Sequence, residues 1–223
     1  MSGNIFRANF LLYSSAQFVI LTFGAMLVYP GGAMYWPNSN HYLSFQNFFS
    51  NLGMTVTREH RSNLFSMLLF GAGLISIAIS LAAASPIWKR AISTSGRGMF
   101  FGHAAQLFAL LSGVCYAGIA VTPWNLMLDT HMLFVQGAFT LLLGFVVCLT
   151  ALQMQNGWPG RYVASNLIYI AVLAAYVVVL FRGPNLLTFK GLVFQVVAQK
   201  IIVYVSIANL AYQAFGVRRA AQT

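Results

Sequence analysis

The sequence predicts an all-α, polytopic membrane protein: a six-helix transmembrane bundle with one long, ordered outer loop. Composition is the first reason, because 59% of the 223 residues are hydrophobic and only 6% are charged, whereas soluble domains carry about 25% charged residues. The second reason is that six apolar runs reach the roughly 20 helical residues needed to cross ~30 Å of hydrocarbon. The third is that proline, glycine or charge bounds each run, as at ordinary helix ends.

The predicted spans follow one another within a single domain that covers residues 1–223. Helices are the expected solution in lipid because they satisfy every backbone amide internally. A β-barrel is excluded, since its strands would alternate in polarity over only ~10 residues. The predicted spans cover approximately residues 8–30, 63–84, 99–122, 131–154, 163–181 and 192–215.

The basic residues predict the orientation of the bundle. With six spans both termini lie on one side, and that side carries seven basic residues against four on the other. Because basic residues accumulate in cytoplasmic loops, we expect both termini in the cytoplasm and the protein in the cell (inner) membrane. The terminal side holds Arg7, Lys89, Arg90, Arg97, Arg161, Arg218 and Arg219, and the outer side holds Arg58, Arg61, Arg182 and Lys190.

The net charge of +10 predicts contact with membrane phospholipids and not with nucleic acid. The basic residues stand singly or in pairs at the ends of spans, whereas a nucleic-acid module gathers them on one face. Anionic lipid headgroups are the natural counter-charge. The residues expected to contact lipid or a protein partner are Arg58, Arg61, Arg182, Lys190, Trp36, Phe45 and Phe49.

The first outer loop, about residues 31–62, is the longest connection in the chain. Loops longer than ~12–15 residues are usually functional or disordered, and the aromatic content of this one favours order. Phe45, Phe48 and Phe49 have the i, i+3, i+4 spacing of a short helix with one apolar face. We expect that helix to lie flat at the outer interface.

Lys200 is the least expected residue, because it lies eight residues into the sixth predicted span, or ~12 Å from its outer boundary. An ionisable residue inside the membrane marks a candidate site whose partner must be named. The chain has only two acidic residues, so Glu59 or Asp129 is the expected partner. A structural polar cluster is predicted, in which Gly53 adopts a positive φ and Ser50 bonds nearby backbone. Its members are Ser50, Gly53, Glu59, Asp129, His131, Gln199 and Lys200.

Three functions remain open on these residues. The sequence favours a non-enzymatic protein that binds lipid, or acts as an accessory subunit of a larger membrane complex, through its outer loop. A metal-dependent intramembrane lipid hydrolase would use His60, Asp129 and His131, since imidazole and carboxylate groups are zinc ligands. A small transporter would use Lys200. No cofactor or metal is expected for the favoured function, and no catalytic motif such as GxSxG occurs.

Two stretches resemble the DRAM-like membrane proteins, the group of damage-regulated autophagy modulators, their fungal relatives and a related prokaryotic family of unknown function. They are "FFSNLGMTVTREHRSNLFSMLLFGAGL" and "GVCYAGIAVTPWNLMLDTHMLFVQGAF". That group has six spans, a Ser-x-x-Gly signature closing the first outer loop and a histidine opening span four, matched here by Ser50, Gly53 and His131. Gln199 and Lys200 stand where these proteins often carry a polar residue in the last span. The resemblance implies a non-enzymatic role in lipid organisation or in regulating membrane partners.

Overall fold

The computed structural model describes residues 2–92 and 99–221. Within these two stretches the regular structure is helical, without a β-strand. Arg97, one of the basic residues assigned to the side of the termini, lies outside the described residues. The described helices are α1 (Ser2–Leu27), α2 (Phe49–Leu52), α3 (Leu64–Ala84), α4 (Ile87–Ile92), α5 (Met99–Val121), α6 (Leu128–Gln155), α7 (Gly160–Arg182) and α8 (Phe189–Ala220).

Six helical segments are long and apolar enough to cross a membrane, which confirms the predicted six-span bundle. α3 and α4 together make one of these segments, Leu64–Ile92. The last helix is longer than predicted, with 32 residues. At 1.5 Å per residue it is ~48 Å long, so it extends well beyond the ~30 Å hydrocarbon core.

The long helices form a closed ring in chain order, α1–α3–α5–α6–α7–α8, because α8 packs back against α1. Neighbouring backbones approach closely where a small residue lies at the contact. A Cβ atom added to Gly113 of α5 would come within 3.1 Å of the carbonyl oxygen of Ala78 on α3. Small residues at helix contacts are typical of membrane bundles, where close packing drives association.

Buried amide side chains join α6, α7 and α8 near the end of the bundle that holds the termini. Gln153 donates to Oε1 of Gln213 over 2.7 Å, and Asn166 donates to Oε1 of Gln153 over 3.1 Å. Asn209 donates in turn to Oδ1 of Asn166 over 2.9 Å. All four side chains are buried. Because an unpaired polar group in hydrocarbon is costly, these mutual bonds stabilise the packing of the three helices.

The outer loop begins with a reversal of the chain at two glycines. Gly31 and Gly32 have φ angles of +98° and +90°, in the region that favours glycine. A Cβ atom on Gly31 would overlap the carbonyl oxygen of Ser39. The amide of Gly32 donates to that same oxygen over 3.1 Å, so the chain closes on itself directly after α1.

The predicted helix over Phe45–Phe49 is wrong, because the loop forms a turn there and a single helical turn follows at Phe49–Leu52. The side chain of Asn47 explains the difference: its Oδ1 accepts from the amide of Leu43 and its Nδ2 donates to the carbonyl of Gly32. Such side-chain to backbone bonds compete with a helical ladder. Gly53 ends the short helix with φ −88°, so the positive φ predicted for it is also wrong.

Candidate functional site

Lys200 attaches the outer loop to the bundle. Its ammonium donates to the backbone carbonyl of Asn47 over 2.5 Å, and the hydroxyl of Tyr42 donates to the same oxygen over 2.8 Å. The ammonium also lies 5.2 Å from the ring centre of Tyr42 and 5.4 Å from that of Phe49, within cation–π range. A carbonyl and two aromatic faces therefore take the place of the expected counter-ion.

The prediction that a carboxylate pairs with Lys200 is wrong. Among the described residues no ion pair joins Lys200 to Glu59 or Asp129. Both acidic side chains are exposed. Glu59 lies in a tight turn in which the amide of Thr57 donates to the carbonyl of Arg61 over 2.9 Å and His60 has φ +58°. This charged stretch is thus the exposed tip of a turn.

Two polar side chains fix the short helix α2 to the bundle. Gln199 of α8 accepts from the amide of Phe49 over 2.8 Å, which satisfies a backbone donor at the start of α2. At its end, Nδ2 of Asn63 donates to the carbonyls of Leu52 and Met54 over 3.0 and 2.8 Å. The loop is therefore held at both ends of α2 by side chains from outside that helix.

Burial keeps the phenols of this loop neutral. It raises the pKa of Tyr29 to about 12, although nearby Arg58 acts in the opposite direction. Burial also raises the pKa of Tyr42 well above its usual value. The rings of Tyr29 and Tyr42 meet edge to face at 5.6 Å. Because neutral phenols can donate hydrogen bonds, the bond from Tyr42 to Asn47 persists at all ordinary pH values.

A cavity of about 340 Å³ lies beneath the loop. Residues 46–48, 50 and 51 of the loop, the start of α6, the end of α7 and the start of α8 contribute to its wall. Leu186 and Leu187, from the connection between α7 and α8, also line it, and Leu187 is 71% exposed. Volumes of ~300–1,000 Å³ are usual for ligand sites, so this cavity is large enough to accept part of a small molecule.

A second, smaller cavity of about 60 Å³ extends into the bundle. It shares Ser50, His131, Val135 and Gln199 with the first. On α8 its wall continues from Gln199 to Leu210, a rise of ~16 Å. Apart from the shared residues its lining is almost entirely apolar. The two spaces together run from an outer end lined by both polar and apolar side chains to an almost entirely apolar inner end.

Three residues that line the larger cavity carry buried polar atoms without a hydrogen-bond partner. These atoms are Oε1 of Gln46, Nε1 of Trp124 and Nε2 of His131. The other ring nitrogen of His131, Nδ1, lies 2.7 Å from the carbonyl oxygen of Thr122. Buried polar groups are nearly always hydrogen-bonded, but unpaired atoms also occur away from both cavities, as in Asn63 and Trp88, so the volume and the lining of the cavity are what make it a candidate site.

The residues predicted to contact lipid occupy different environments. Arg58 lines the larger cavity, with its guanidinium 5.7 Å from the ring centre of Trp124, whereas Arg61 donates to the carbonyls of Pro30 and Ser39. Phe49 is only 3% exposed and lines the smaller cavity. Except for Phe49 all of these side chains are exposed: those of Arg58, Arg61, Arg182, Lys190, Trp36 and Phe45.

The residues proposed for a metal-dependent hydrolase are not assembled. No three His, Cys, Asp or Glu side chains among residues 2–92 and 99–221 lie close enough to hold a metal ion. His60 and Asp129 are exposed, whereas His131 is 4% exposed. That alternative therefore has no ligand set within the described chain.

Sequence reasoning found only part of this site. Ser50, His131 and Gln199 were predicted as members of one polar cluster, and all three line both cavities. Gln46 and Trp124 were not foreseen, since both lie in connections where helical periodicity gives no signal. Comparisons of the chain with protein-family profiles, with characterised proteins and with solved structures found no match.

Proposed function

We propose that this multi-pass membrane protein binds a membrane lipid, or a similar amphiphile, in the cavity beneath its outer loop, and that it does so without transforming the ligand chemically. The observation that carries the proposal is the pair of adjacent cavities. An outer space of about 340 Å³, lined by polar as well as apolar side chains, and an almost entirely apolar inner space of about 60 Å³ share four lining residues. This gradient matches a molecule with a polar head and a hydrocarbon chain.

The loop supplies one side of the site and Lys200 holds the loop in place. Asn47, whose carbonyl accepts from Lys200, itself lines the larger cavity. Gln199, which accepts from the amide of Phe49, lines both. Opening of this loop would therefore give the ligand a route of entry. Because Lys200 is already bonded to the loop, this role accounts for the lysine better than transport does.

Exposed basic residues support a contact with anionic headgroups around the cavity. Arg182 and Lys190 flank the connection that contributes Leu186 and Leu187 to the cavity wall. A basic residue near an anionic membrane surface contributes about 1 kcal/mol. With the termini in the cytoplasm, as the basic residues of the sequence favour, this surface would face the outer leaflet.

The resemblance to DRAM-like proteins agrees with a non-enzymatic role. The described residues offer neither a metal-ligand set nor an ion pair at Lys200 that could activate a nucleophile. We therefore propose that the protein acts by binding lipid, and regulation of a larger complex would follow from what it binds.

The test is mass spectrometry of lipids that co-purify with the protein, combined with a variant that blocks the shared part of the two cavities. Val135 is 6% exposed and lines both, so Val135→Trp should displace the ligand. Leu133→Trp is the matched control, because Leu133 on the same helix is 66% exposed. We expect lipid at close to one per chain on the wild type and on Leu133→Trp, with loss on Val135→Trp.

A second variant covers the case in which Val135→Trp does not fold. Leu187 lines the cavity yet is 71% exposed, so Leu187→Trp narrows the entrance without disturbing the core. It should lower lipid occupancy while the protein keeps its melting temperature. Wild-type protein that carries no stoichiometric lipid, or equal retention by all variants, would refute the proposal.

A further inference from the structure

Gln17 is an amide side chain that faces lipid in the interior of the first span. It lies on α1, about 15 Å from the end of the span at Leu27 and about 21 Å from Gly3, yet its side chain is exposed. Within the described spans the other exposed amide is that of Gln155, the last residue of α6. Polar side chains inside a membrane almost always face the protein interior, so the position of Gln17 favours a partner from outside the single chain.

The chain itself pairs only one end of this amide. Oε1 of Gln17 accepts from the hydroxyl of Ser76 on α3 over 2.9 Å. None of the described residues accepts from its Nε2, which carries two donor hydrogens. Because hydrocarbon contains no water that could accept from them, the amide needs an acceptor at the same depth in the membrane.

The surface around Gln17 has the spacing of a seam between paired helices. Four aromatic or aliphatic side chains recur every seven residues along α1 and face lipid: Phe6 (71% exposed), Tyr13 (72%), Ile20 (69%) and Leu27 (72%). Gln17 belongs to the alternate position of the same repeat, with Phe10 and Gly24 seven residues before and after it. This alternation of three and four residues is typical of helices that pair side by side, and no charged residue interrupts it. We call these positions the α1 seam.

A second copy of the chain supplies an acceptor at the required depth. Two copies inserted with the same topology form a closed pair about a twofold axis along the membrane normal, so their Gln17 side chains lie at the same height. An amide both donates and accepts, which makes it complementary to itself. Its oxygen has two lone pairs, so Oε1 can accept from the second copy while it accepts from Ser76.

We infer that the protein forms a parallel homodimer through the α1 seam, with the Gln17 side chains of the two copies paired at its centre. The apolar positions of the seam alone would not drive association, because acyl chains are as apolar as those side chains, whereas polar side chains hydrogen-bond across helices. A single polar position in a seam also fixes the register of the helices. The larger cavity is lined by the loops, α6, α7 and α8, so pairing through α1 leaves it free in each copy.

The first experiment measures the association of full-length protein in phosphatidylcholine vesicles. Copies labelled with a donor or an acceptor dye are mixed, and energy transfer is followed while added lipid dilutes the protein within the membrane. Gln17→Leu should raise the dissociation constant of the dimer roughly tenfold, since hydrogen bonds between the helices are lost. Gln155→Leu is the matched control, because it removes an exposed amide outside the seam, and it should associate as the wild type does.

The second experiment tests the seam and the identity of the partner by disulfide cross-linking in cell membranes. Ile20→Cys places a thiol on the seam, and Ile168→Cys on α7 is its matched control, since the two isoleucines are 69% and 68% exposed. The native Cys115 and Cys148 are replaced by alanine in both proteins. Oxidation should link Ile20→Cys into a product of twice the chain mass and leave Ile168→Cys monomeric.

Three outcomes would refute pairing through the seam. Wild-type protein with no more energy transfer than random proximity produces would mean that lipid covers α1. Equal dissociation constants for Gln17→Leu and the wild type would mean that the copies meet elsewhere. Equal cross-linking of the two thiols, or a linked product whose mass is not twice that of the chain, would mean a different contact or a different partner. Lipid binding at the cavity would stand in all three cases.

Discussion

Replacing Lys200 with methionine should open the outer loop without unfolding the bundle. The substitution removes a hydrogen bond from a charged donor to Asn47, worth about 1.5–3 kcal/mol. It also removes two cation–π contacts, with Tyr42 and Phe49, each worth ~0.5–1 kcal/mol. Against this loss, methionine removes the cost of an ammonium in the membrane, about 2.5–3.5 kcal/mol near the bilayer centre. Total stability should therefore change little.

The effect should appear locally, because only the contacts between loop and bundle are lost. At the low end those contacts contribute about 2.5 kcal/mol, which is roughly a 60-fold change in the equilibrium between closed and open loop. Hydrogen exchange reports such local opening. We expect the amides of residues 42–52 to exchange roughly 60-fold faster in Lys200→Met, with no change in the buried part of α6.

Lys190→Met is the matched control. It removes the same charge from the same helix, but Lys190 is exposed. In the Lys190→Met protein the amides of residues 42–52 should exchange at the same rate as in the wild type. The reasoning is refuted if Lys200→Met leaves that exchange unchanged, or if Lys190→Met accelerates it equally.

Three further predictions concern stability. Gly31→Ala should lower the melting temperature more than Gly157→Ala. Both glycines have positive φ, which costs an alanine ~1–3 kcal/mol, but only at Gly31 would the added Cβ also overlap backbone atoms. Equal losses of melting temperature in the two variants would contradict this reasoning. Gln153→Leu should lower the free energy of unfolding by roughly 1–3 kcal/mol, since it removes the donor to Oε1 of buried Gln213 and the acceptor of Nδ2 of Asn166. Thermal unfolding should show partial recovery when Gln213→Leu is added. Absorbance titration against Tyr29→Phe should show the Tyr29 phenol ionising near pH 12. Since the pKa of Tyr29 in the folded protein lies above the usual 10.0, the stability that the buried neutral phenol contributes is complete below pH 10 and is lost as pH rises through about 12. Ionisation of Tyr29 near pH 10 would contradict its burial.

The outer loop shows where sequence reasoning failed and why. Its length and aromatic residues predicted an ordered segment, and the bonds made by Asn47 and Asn63 order it. The spacing of Phe45 and Phe49 predicted a helix, yet the first is 67% exposed and the second 3%. Periodicity describes a helix only where no side chain competes for the backbone, and Asn47 competes here.

The candidate site was predictable only in its membrane-embedded part. His131 and Gln199 attract notice because a polar side chain in an apolar helix needs a partner. Gln46 and Trp124 lie in polar connections, where such residues are common and carry no signal. Their importance depends on which cavity they line, and that is a property of the packed chain.

By itself, the sequence determined the membrane environment, the six helices and their order, because the free energy of transfer into hydrocarbon is a sum over residues that are neighbours in the chain. The tertiary structure alone decided the partner of Lys200, which lies 153 positions away in sequence. It also decided the existence of the cavities, whose walls come from four separate parts of the chain. The physical reason is that the rotation of each helix and the path of the loop are set by packing between distant segments, and the hydropathy of any one segment does not encode them.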